Sequence, residues 1–306
     1  MSPHEVKLTS ADRVLFPDDG VTKGDVFEYY GKVADALIPH LRDRPFTLKR
    51  WPHGITEEAF FQKQAPKGLP AWIPTRQFVT HPRGSKGETR LVDFVLVNER
   101  AAAQWAVQQN CIDMNAWYSR VDKPDRPDFV LFDLDPPEED NAFALCVRVA
   151  HYVHRALEQL DLASYVKTSG ADGIHVVVPI TRRATFDETY EFAELLSRSL
   201  EAEHPGELTT EWLKKKREGV LVDHRQNGWG KTIASVYSVR PKPGAPVSTP
   251  LRWEELTEDV RPRDFSMEVA LERLAKHGDL FEPVLHPKQS LGRALKKLRS
   301  NGARHL

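Results

Sequence analysis

Two aspartates separated by one residue, Asp133 and Asp135, stand at the end of a hydrophobic run that starts at Phe129. The run predicts a buried strand, in which alternate side chains point to the same face. Two carboxylates about 4 Å apart repel each other by about 4 kcal/mol unless a proton or a cation lies between them. Oxygen ligands on a strand suit Mg²⁺ or Mn²⁺, so the pair predicts a metal site that handles phosphates. The structural alternative is a helix cap or a solvated strand end.

A third aspartate, Asp223, follows the hydrophobic residues 220–222 and can join the same site. Three acids around two divalent ions is the arrangement used in nucleotidyl transfer. The alternative for Asp223 is an acid in a turn. Farther along the chain, Lys231 and Arg240 are candidates for phosphate contacts, although Arg240 also fits a surface arginine before a proline-rich loop.

The glycine-containing segment 167–175 predicts a tight turn between two strands. Gly170 and Gly173 permit close approach of the backbone to an anion. On the second strand, His175 points away from the face that carries Ile174. Ser169, the turn amides and His175 can therefore hold a triphosphate; the alternative is an ordinary glycine turn with one partly buried histidine.

Two adjacent aromatic residues, Phe60 and Phe61, lie in a segment rich in lysine and glutamine. We expect residues 57–61 to form a short helical turn, on which neighbouring side chains cannot share a face. At least one ring is then near solvent, and exposed rings among lysines make a platform for stacking bases. The alternative is that both rings belong to the core.

Composition excludes several protein classes. The chain has 306 residues, 40% of them hydrophobic, with a net charge of −1 and two cysteines. No run approaches the ~20 apolar residues of a membrane span, and the start of the chain lacks a signal-peptide pattern. The cysteine count argues against a disulfide scaffold and fits the cytoplasm, where we expect a nucleoid-associated protein without membrane contact. Residues 286–306 carry six Lys or Arg and no acid, which suits phosphate binding or a solvated tail.

The elements that must position these residues mix strands and helices without strict alternation, which predicts an α/β (α+β) fold with mixed sheets. We expect one catalytic domain over 1–285 and a basic tail or helix over 286–306. Residues 66–87 are predicted to be irregular and 240–250 to form a linker. Further predictions are helices over 22–37, 99–109, 141–160, 186–203, 211–217 and 267–277, and strands over 46–51, 91–97, 129–135, 165–168, 174–179, 220–223 and 232–237.

Taken in order, these motifs resemble the polymerase domain of bacterial DNA ligase D, of the archaeo-eukaryotic primase superfamily. The resemblance rests on residues 8–17, 22–25, 49–52, 60–63, 133–136, 167–175, 223–227 and 238–240. It implies a primase-polymerase-like fold with a central catalytic cleft flanked by helices. Since no ligase or phosphoesterase module is attached, the chain looks like a stand-alone relative of the mycobacterial type.

The resemblance implies a role for each matching residue. Asp133, Asp135 and Asp223 would be catalytic and hold two divalent ions, Mn²⁺ or Mg²⁺. Nucleotide contacts, to NTP or dNTP, are implied for Lys49, Ser169, Gly170, His175, Gln226, Lys231 and Arg240. Phe60 and Phe61 would stack on a base, and Arg13 and Lys23 would contact the 5′-phosphate across a gap.

Three positions depart from the family pattern. Asn115 stands where relatives carry His, which removes a group that can carry a proton at neutral pH. Gln226 stands where some relatives have Arg, and Arg13 where many have Lys. The implied function is filling of short gaps in DNA with a preference for ribonucleotides, with a DNA ligase and an end-binding protein as partners. A metal-dependent phosphohydrolase and a non-catalytic DNA-repair adaptor remain alternatives; Pro136 and Pro137 argue against a haloacid-dehalogenase-like phosphatase, which usually has Thr two places after the motif.

Overall fold

The computed structural model describes residues 3–80, 89–139 and 142–302. Over these residues the chain forms fourteen strands and six α-helices. The strands are β1 (Val14–Phe16), β2 (Val21–Thr22), β3 (Pro45–Arg50), β4 (Phe60–Gln62), β5 (Thr75–Thr80), β6 (Arg90–Leu96), β7 (Cys111–Trp117), β8 (Phe129–Asp135), β9 (Tyr165–Thr168), β10 (Ile174–Pro179), β11 (Leu208–Thr209), β12 (Val220–Val222), β13 (Thr232–Ala234) and β14 (Pro250–Leu251). The helices are α1 (Lys23–Leu41), α2 (Arg100–Gln108), α3 (Ala142–Glu158), α4 (Phe186–Glu203), α5 (Met267–His277) and α6 (Gly292–Gly302).

The chain divides into two compact units. Unit 1 combines Met1–Asp122 with Thr232–Ala245. Its main sheet has the strand order β13-β7-β3-β6-β5, and β4 pairs with β3 beside it. Tyr30 of helix α1 ties the later segment to the earlier one, because its hydroxyl donates to Ile112 O at 2.6 Å and accepts from Val239 N at 2.9 Å.

Unit 2 combines Lys123–Lys231 with Pro246–Leu306 and is built on a sheet of order β11-β12-β8-β10-β9-β14. One face of this sheet forms the core together with side chains from helices α3, α4 and α6. Strand β8 contributes Val130, Phe132 and Leu134 to that core, and the ring of Phe132 meets Phe192 of α4 edge-on at 6.3 Å. Because side chains alternate along a strand, Asp133 and Asp135 are turned to the opposite face.

Several predicted elements are confirmed. The hairpin arms β9 and β10 and the helices α4 and α5 have the predicted bounds. Helix α4 starts where a capping box is expected: Thr185 Oγ1 accepts from Glu188 N, and Glu188 Oε2 accepts from Thr185 N at 2.8 Å. Asn141, with which the predicted third helix begins, lies outside the described residues. Among the helices of the described ranges, not one combines the length and the hydropathy that crossing a bilayer requires.

Three predictions about local structure are wrong, and a fourth, the linker, holds only in part. Residues 60–62 form strand β4 instead of a helical turn, because they pair with β3. The irregular segment predicted over 66–87 contains strand β5, and its residues 81–87 lie outside the described part. The chain passes from unit 1 to unit 2 between Ala245 and Pro246, inside the linker predicted over 240–250, but residues 247–251 are buried and supply edge strand β14. The helix predicted over 211–217 is reduced to a 3₁₀ turn, Lys214–Lys216.

The C-terminal segment folds onto unit 2. Helix α6 has an apolar stripe, and Leu291, Leu295 and Leu298 enter the unit's core. On the polar side, Arg299 forms a forked ion pair with Glu191 of helix α4, at 2.6 and 2.7 Å. The predicted division between 1–285 and 286–306 as catalytic domain and tail or helix remains a prediction.

Candidate active site

Strand pairing in unit 2 places three chemically active side chains in one row across the sheet. In the antiparallel register, Asp133 of β8 lies opposite His175 of β10, and His175 lies opposite Lys167 of β9. Directly paired residues of a sheet point to the same face. The row therefore carries a carboxylate, an imidazole and an ammonium group, and His175 Nε2 lies 3.2 Å from Asp133 Oδ1.

Asp223 joins the row from the other side of strand β8. Its backbone N–H donates to Asp133 O at 2.8 Å, one step beyond the last paired residue of β12. The side chain caps the turn His224–Asn227 by accepting from Arg225 N at 3.0 Å. The structure thus brings Asp133 and Asp223 from separate strands onto neighbouring backbone positions, as the sequence predicted.

The three carboxylates perturb one another. The pKa of Asp135 is raised to about 7, first by burial and then by the charges of Asp133 and Asp223. Burial and the Asp133 charge also raise the pKa of Asp223, while Arg225 N–H and Lys231 act in the opposite direction. The Asp135 carboxylate makes no hydrogen bond with any described residue. A group of this kind is stabilised as an anion by a cation, which is the electrostatic condition for a metal site.

The donor set fits a hard divalent cation, since carboxylate oxygens on rigid strands suit Mg²⁺ and Mn²⁺. Even so, within the described ranges no three His, Cys, Asp or Glu side chains have converged to the geometry of a metal-ligand group. The assignment of Asp133, Asp135 and Asp223 as ligands accordingly stays a prediction.

Asn227 is a positioning residue for which the sequence alone predicted no role. Its side-chain amide pairs with the backbone of Leu131 in strand β8, accepting from N and donating to O, both at 2.8 Å. The same amide donates to His224 O at 3.1 Å. Asn227 therefore fastens the turn that carries Asp223 to the strand that carries the other two aspartates. The only signal in the sequence was its place inside the 223–227 motif.

The glycine turn between β9 and β10 is organised by Ser169 and closed by Gly173. Ser169 Oγ accepts from Ala171 N at 3.1 Å and from Gly173 N at 3.0 Å. Gly170 has a φ of +70°, which L side chains rarely adopt. A Cβ at Gly173 would lie 2.2 Å from Leu134 O, so glycine is required for the turn to approach strand β8. The predicted turn is confirmed. The Ser169 hydroxyl oxygen accepts hydrogen bonds from the backbone of the turn itself.

An open cleft of about 830 Å³ adjoins Asp135. Its lining combines cations and acids: Lys214, Arg217, Arg261 and Arg263, with Asp135, Glu138, Glu139 and Asp172. The Arg217 charge lowers the pKa of Asp135 against the effect of burial. Of the remaining predicted residues in unit 2, Lys231 acts on Asp223 and Gln226 is half-buried in the 3₁₀ turn.

In unit 1, the predicted DNA contacts Arg13 and Lys23 lie in a cluster with Arg50. Lys23 is only 3% exposed, and its Nζ donates to Gln108 O and Oε1 at 3.0 and 3.2 Å. Burial lowers the pKa of Lys23, and the charges of Arg13 and Arg50 lower it further. Within the described residues, the hydrogen bonds of Arg13, Lys23 and Arg50 go only to uncharged carbonyl and amide oxygens, and Arg50 also lies over the Phe60 ring. Uncompensated positive charge of this kind attracts an anion.

Strand β4 exposes both predicted aromatic residues, Phe60 at 45% and Phe61 at 64%. Each ring has a cation from the paired strand β3: Arg50 lies 5.3 Å from the Phe60 centroid and Lys49 lies 5.5 Å from that of Phe61. Lys49 Nζ is also 3.6 Å from Asp113 Oδ2, a buried carboxylate that sequence reasoning missed. The expectation of exposed rings among cations is confirmed.

Asn115 and Arg240, which the sequence also singled out, belong to unit 1 as well. Asn115 of β7 is nearly buried opposite Thr47 of β3, and its Nδ2 donates to Asp113 O at 3.4 Å. Arg240 follows strand β13 and is half-buried.

Comparison with known proteins gives concordant results. A family model described as "LigD, primase-polymerase domain" matches residues 22–281. The solved polymerase domain of Mycobacterium tuberculosis ligase D, in complex with DNA, is similar with a TM-score of 0.83 and 31% sequence identity, over 92% of this chain and 98% of that one. These matches confirm the predicted resemblance and the primase-polymerase fold.

Two curated relatives show how much of a longer protein the match covers. The multifunctional non-homologous end joining protein LigD of Mycolicibacterium smegmatis is 34% identical over 282 residues, which is 91% of this chain and 36% of that protein. The bifunctional LigD of Bacillus subtilis is 30% identical over 300 residues, 96% of this chain and 47% of that protein. The chain thus spans less than half the length of these relatives.

Proposed function

The chain belongs to the family of LigD primase-polymerase domains, which are nucleotidyltransferases of the polymerase type, and we propose on this premise that it extends primer 3′ ends by reading a template. The observation that supports the proposal most is the meeting of Asp133, Asp135 and Asp223 where strand β8 ends, with raised carboxyl pKa values at Asp135 and Asp223. The structural relative in complex with DNA supports DNA as the partner.

The three aspartates would hold two divalent ions, with Mn²⁺ favoured by the family resemblance. When bound, the ions would supply charge neutralisation at the leaving pyrophosphate and a lowered pKa for the primer 3′-hydroxyl. The role of the protein would be to hold the carboxylate oxygens in place. Asp133 and Asp135 lie on strand β8, and Asp223 lies on a turn that Asn227 fastens to that strand. Catalysis would then consist mostly of positioning and charge stabilisation.

The family resemblance implies contacts to the incoming nucleoside triphosphate, NTP or dNTP, for seven residues. In unit 2 these are Ser169, Gly170, His175, Gln226 and Lys231, of which His175 already lies next to Asp133. In unit 1 they are Lys49 and Arg240. Imidazole N–H, amide and ammonium groups are the donors that phosphate oxygens accept.

The cationic cluster of unit 1 supports a second phosphate subsite, for the 5′-phosphate across a gap. Arg13 and Lys23 would bind it, and Arg50 adds a third charge within reach of Lys23. A phosphate would remove the repulsion among these groups, which have no carboxylate partner among the described residues. Phe60 and Phe61 would stack on the template or the incoming base.

This arrangement suits the filling of short gaps during DNA repair, with ribonucleotides preferred as the family resemblance implies. The relatives are named as non-homologous end joining proteins, which supports the same pathway here, with a DNA ligase and an end-binding protein as partners. Action on chromosomal DNA would place the protein at the nucleoid.

Primer extension on gapped DNA with Mn²⁺ and labelled nucleotides tests the proposal. We expect Asp133→Ala to reduce extension below about one tenth of the wild-type rate while DNA binding survives, because the change removes a metal ligand and no phosphate contact. Asp125→Ala, an exposed aspartate of the same unit, is the matched control. Phosphate release from nucleotides without a template would instead identify a phosphohydrolase, and DNA binding without any metal-dependent activity a repair adaptor.

A further inference from the structure

Lys167 is a buried lysine in the middle of strand β9 to which neither the motifs nor the proposed mechanism gives a role. It is 2% exposed and lies opposite His175 in the sheet. Its Nζ is 2.6 Å from His175 Nδ1 and 2.6 Å from Ser248 Oγ. The other ring nitrogen of His175 faces Asp133 Oδ1 at 3.2 Å. Lys167 thus contacts the side of the imidazole that points away from the aspartates.

The direction of these hydrogen bonds follows from the chemistry of each group. Ser248 Oγ donates its single hydrogen to Thr168 O at 2.8 Å, so toward Lys167 it accepts. An ammonium group has three N–H donors and no lone pair, so His175 Nδ1 must also accept from it. In a neutral imidazole the ring hydrogen is then left to Nε2, the nitrogen that faces Asp133 Oδ1.

The support for this chain of bonds is rigid. Thr168, next to Lys167, accepts from Thr249 N through its Oγ1 at 3.1 Å, and its backbone N donates to Thr249 O at 2.9 Å. Segment 247–251 is thereby joined to strand β9, which fixes the distance between Ser248 and Lys167. Since Lys167 and His175 are also paired in the hairpin, two independent constraints hold the ammonium group against Nδ1.

We propose that Lys167 is a positioning residue that holds His175 in the Nε2–H tautomer, with that N–H directed at Asp133 on the neighbouring strand β8. Without a donor at Nδ1, the ring is free to place its hydrogen on either nitrogen, and the other tautomer would turn a lone pair toward a carboxylate or a phosphate. Partners of the distal nitrogen of metal-ligating histidines typically contribute about 10- to 100-fold to metal affinity or activity, and we expect the same order of magnitude at His175. The kinetic part of this inference rests on the proposed binding of the triphosphate by His175; the tautomer does not.

The first experiment reads the tautomer directly in the full chain. Histidine ring nitrogens are labelled with ¹⁵N, and two-bond proton–nitrogen correlations distinguish Nε2–H from Nδ1–H rings; His175→Gln assigns the signal. We expect a pure Nε2–H pattern in wild type and a mixture of tautomers in Lys167→Met. Lys32→Met, an exposed lysine on helix α1, serves as the control and leaves the pattern unchanged. An Nδ1–H ring in wild type, or an unchanged ring in Lys167→Met, overturns the proposal.

The second experiment separates positioning from general destabilisation by a double-mutant cycle in primer extension. We expect Lys167→Met to raise the KM for the nucleotide about 10- to 100-fold, with a smaller change in kcat and unchanged affinity for DNA. In a His175→Ala background the same change should cost less than about twofold, because Lys167 acts only through the ring. Equal losses in both backgrounds refute the positioning role.

Ser248 provides the graded variant. Ser248→Ala removes the acceptor that orients Lys167 and leaves the ammonium group in place, so it should give a smaller rise in KM, which Ser248→Thr restores because the hydroxyl returns. If Ser248→Thr has no more activity than Ser248→Ala, the proposed hydrogen-bond network is refuted. If His175 does not bind the triphosphate, extension is insensitive to His175→Ala while the tautomer still responds to Lys167→Met, so failure of the proposed function is recognised separately.

Discussion

Replacing Asp135 by Asn should stabilise the metal-free protein at alkaline pH while it abolishes primer extension. The carboxyl of Asp135 has a pKa of about 7 against an ordinary value of 3.8, through burial and the charges of Asp133 and Asp223. Asparagine has nearly the same shape and no charge. Since the Asp135 carboxylate makes no hydrogen bond with any described residue, the substitution removes repulsion without breaking a contact.

The sign and size follow from linkage between protonation and folding. In the unfolded chain the carboxyl ionises near pH 4, whereas in the folded chain it keeps its proton until about pH 7. Ionisation therefore destabilises the folded state progressively as pH rises from about 4 to about 7, and fully above that. The difference in pKa sets an upper limit of about 4 kcal/mol. Relaxation of water and side chains reduces this, and we expect about 1–2 kcal/mol.

The assay is urea unfolding in the presence of a chelator, at pH 5 and pH 8. The unfolding midpoint of Asp135→Asn should exceed that of wild type at pH 8 and approach it at pH 5. Asp125→Asn, which neutralises an exposed aspartate paired with Arg126, should change little at either pH. Added Mn²⁺ should stabilise wild type and leave the Asp135→Asn midpoint nearly unchanged. An advantage that is the same at both pH values, or none at pH 8, would show that the three carboxylates do not repel as the structure implies.

Three shorter predictions concern the glycine turn of unit 2 and the cationic and aromatic side chains of unit 1. Gly173→Ala should lower unfolding stability by about 2–3 kcal/mol, because its Cβ would lie 2.2 Å from Leu134 O, whereas Gly292→Ala has open space and should be nearly neutral in thermal unfolding. Lys23→Met should weaken binding of gapped DNA about tenfold only when the gap carries a 5′-phosphate; an equal loss with a 5′-hydroxyl would argue against the subsite. Phe61→Ala should cost about 1–3 kcal/mol of DNA-binding free energy without a change in melting temperature, and Leu91→Ala, at a similarly exposed apolar position, should cost none.

Local patterns explain which elements were predictable. The arms β9 and β10 are short runs rich in β-branched residues and flank two glycines, so both the strands and their turn follow from the sequence. Strand β7 was not predicted. Its polar residues Asp113 and Asn115 are buried together with its apolar ones, so their alternation does not mark a face that meets solvent. Strand β4 was misread as a helical turn, since three residues that are stabilised by pairing with β3 carry no pattern of their own.

The candidate site was predictable to the extent that it lies within single motifs. Asp133 and Asp135 share a strand, and their common face follows from geometry alone. The approach of Asp223 was a hypothesis, because it depends on strand β12 pairing with β8 across the intervening chain. Lys167 and Ser248 are 81 residues apart, and their contact depends on edge strand β14, in a segment whose prolines suggested a linker. Pairing between distant segments is a tertiary property that single-sequence patterns do not carry.

Strand β4 has one more implication for DNA recognition. Consecutive residues of a strand face opposite ways, so Phe60 and Phe61 lie on two sides of the ribbon, each with its own cation from β3. A single nucleobase cannot touch both rings. The two phenylalanines would therefore behave as a divider between two strands or two bases, and the losses caused by removing each ring should simply sum in the doubly substituted protein.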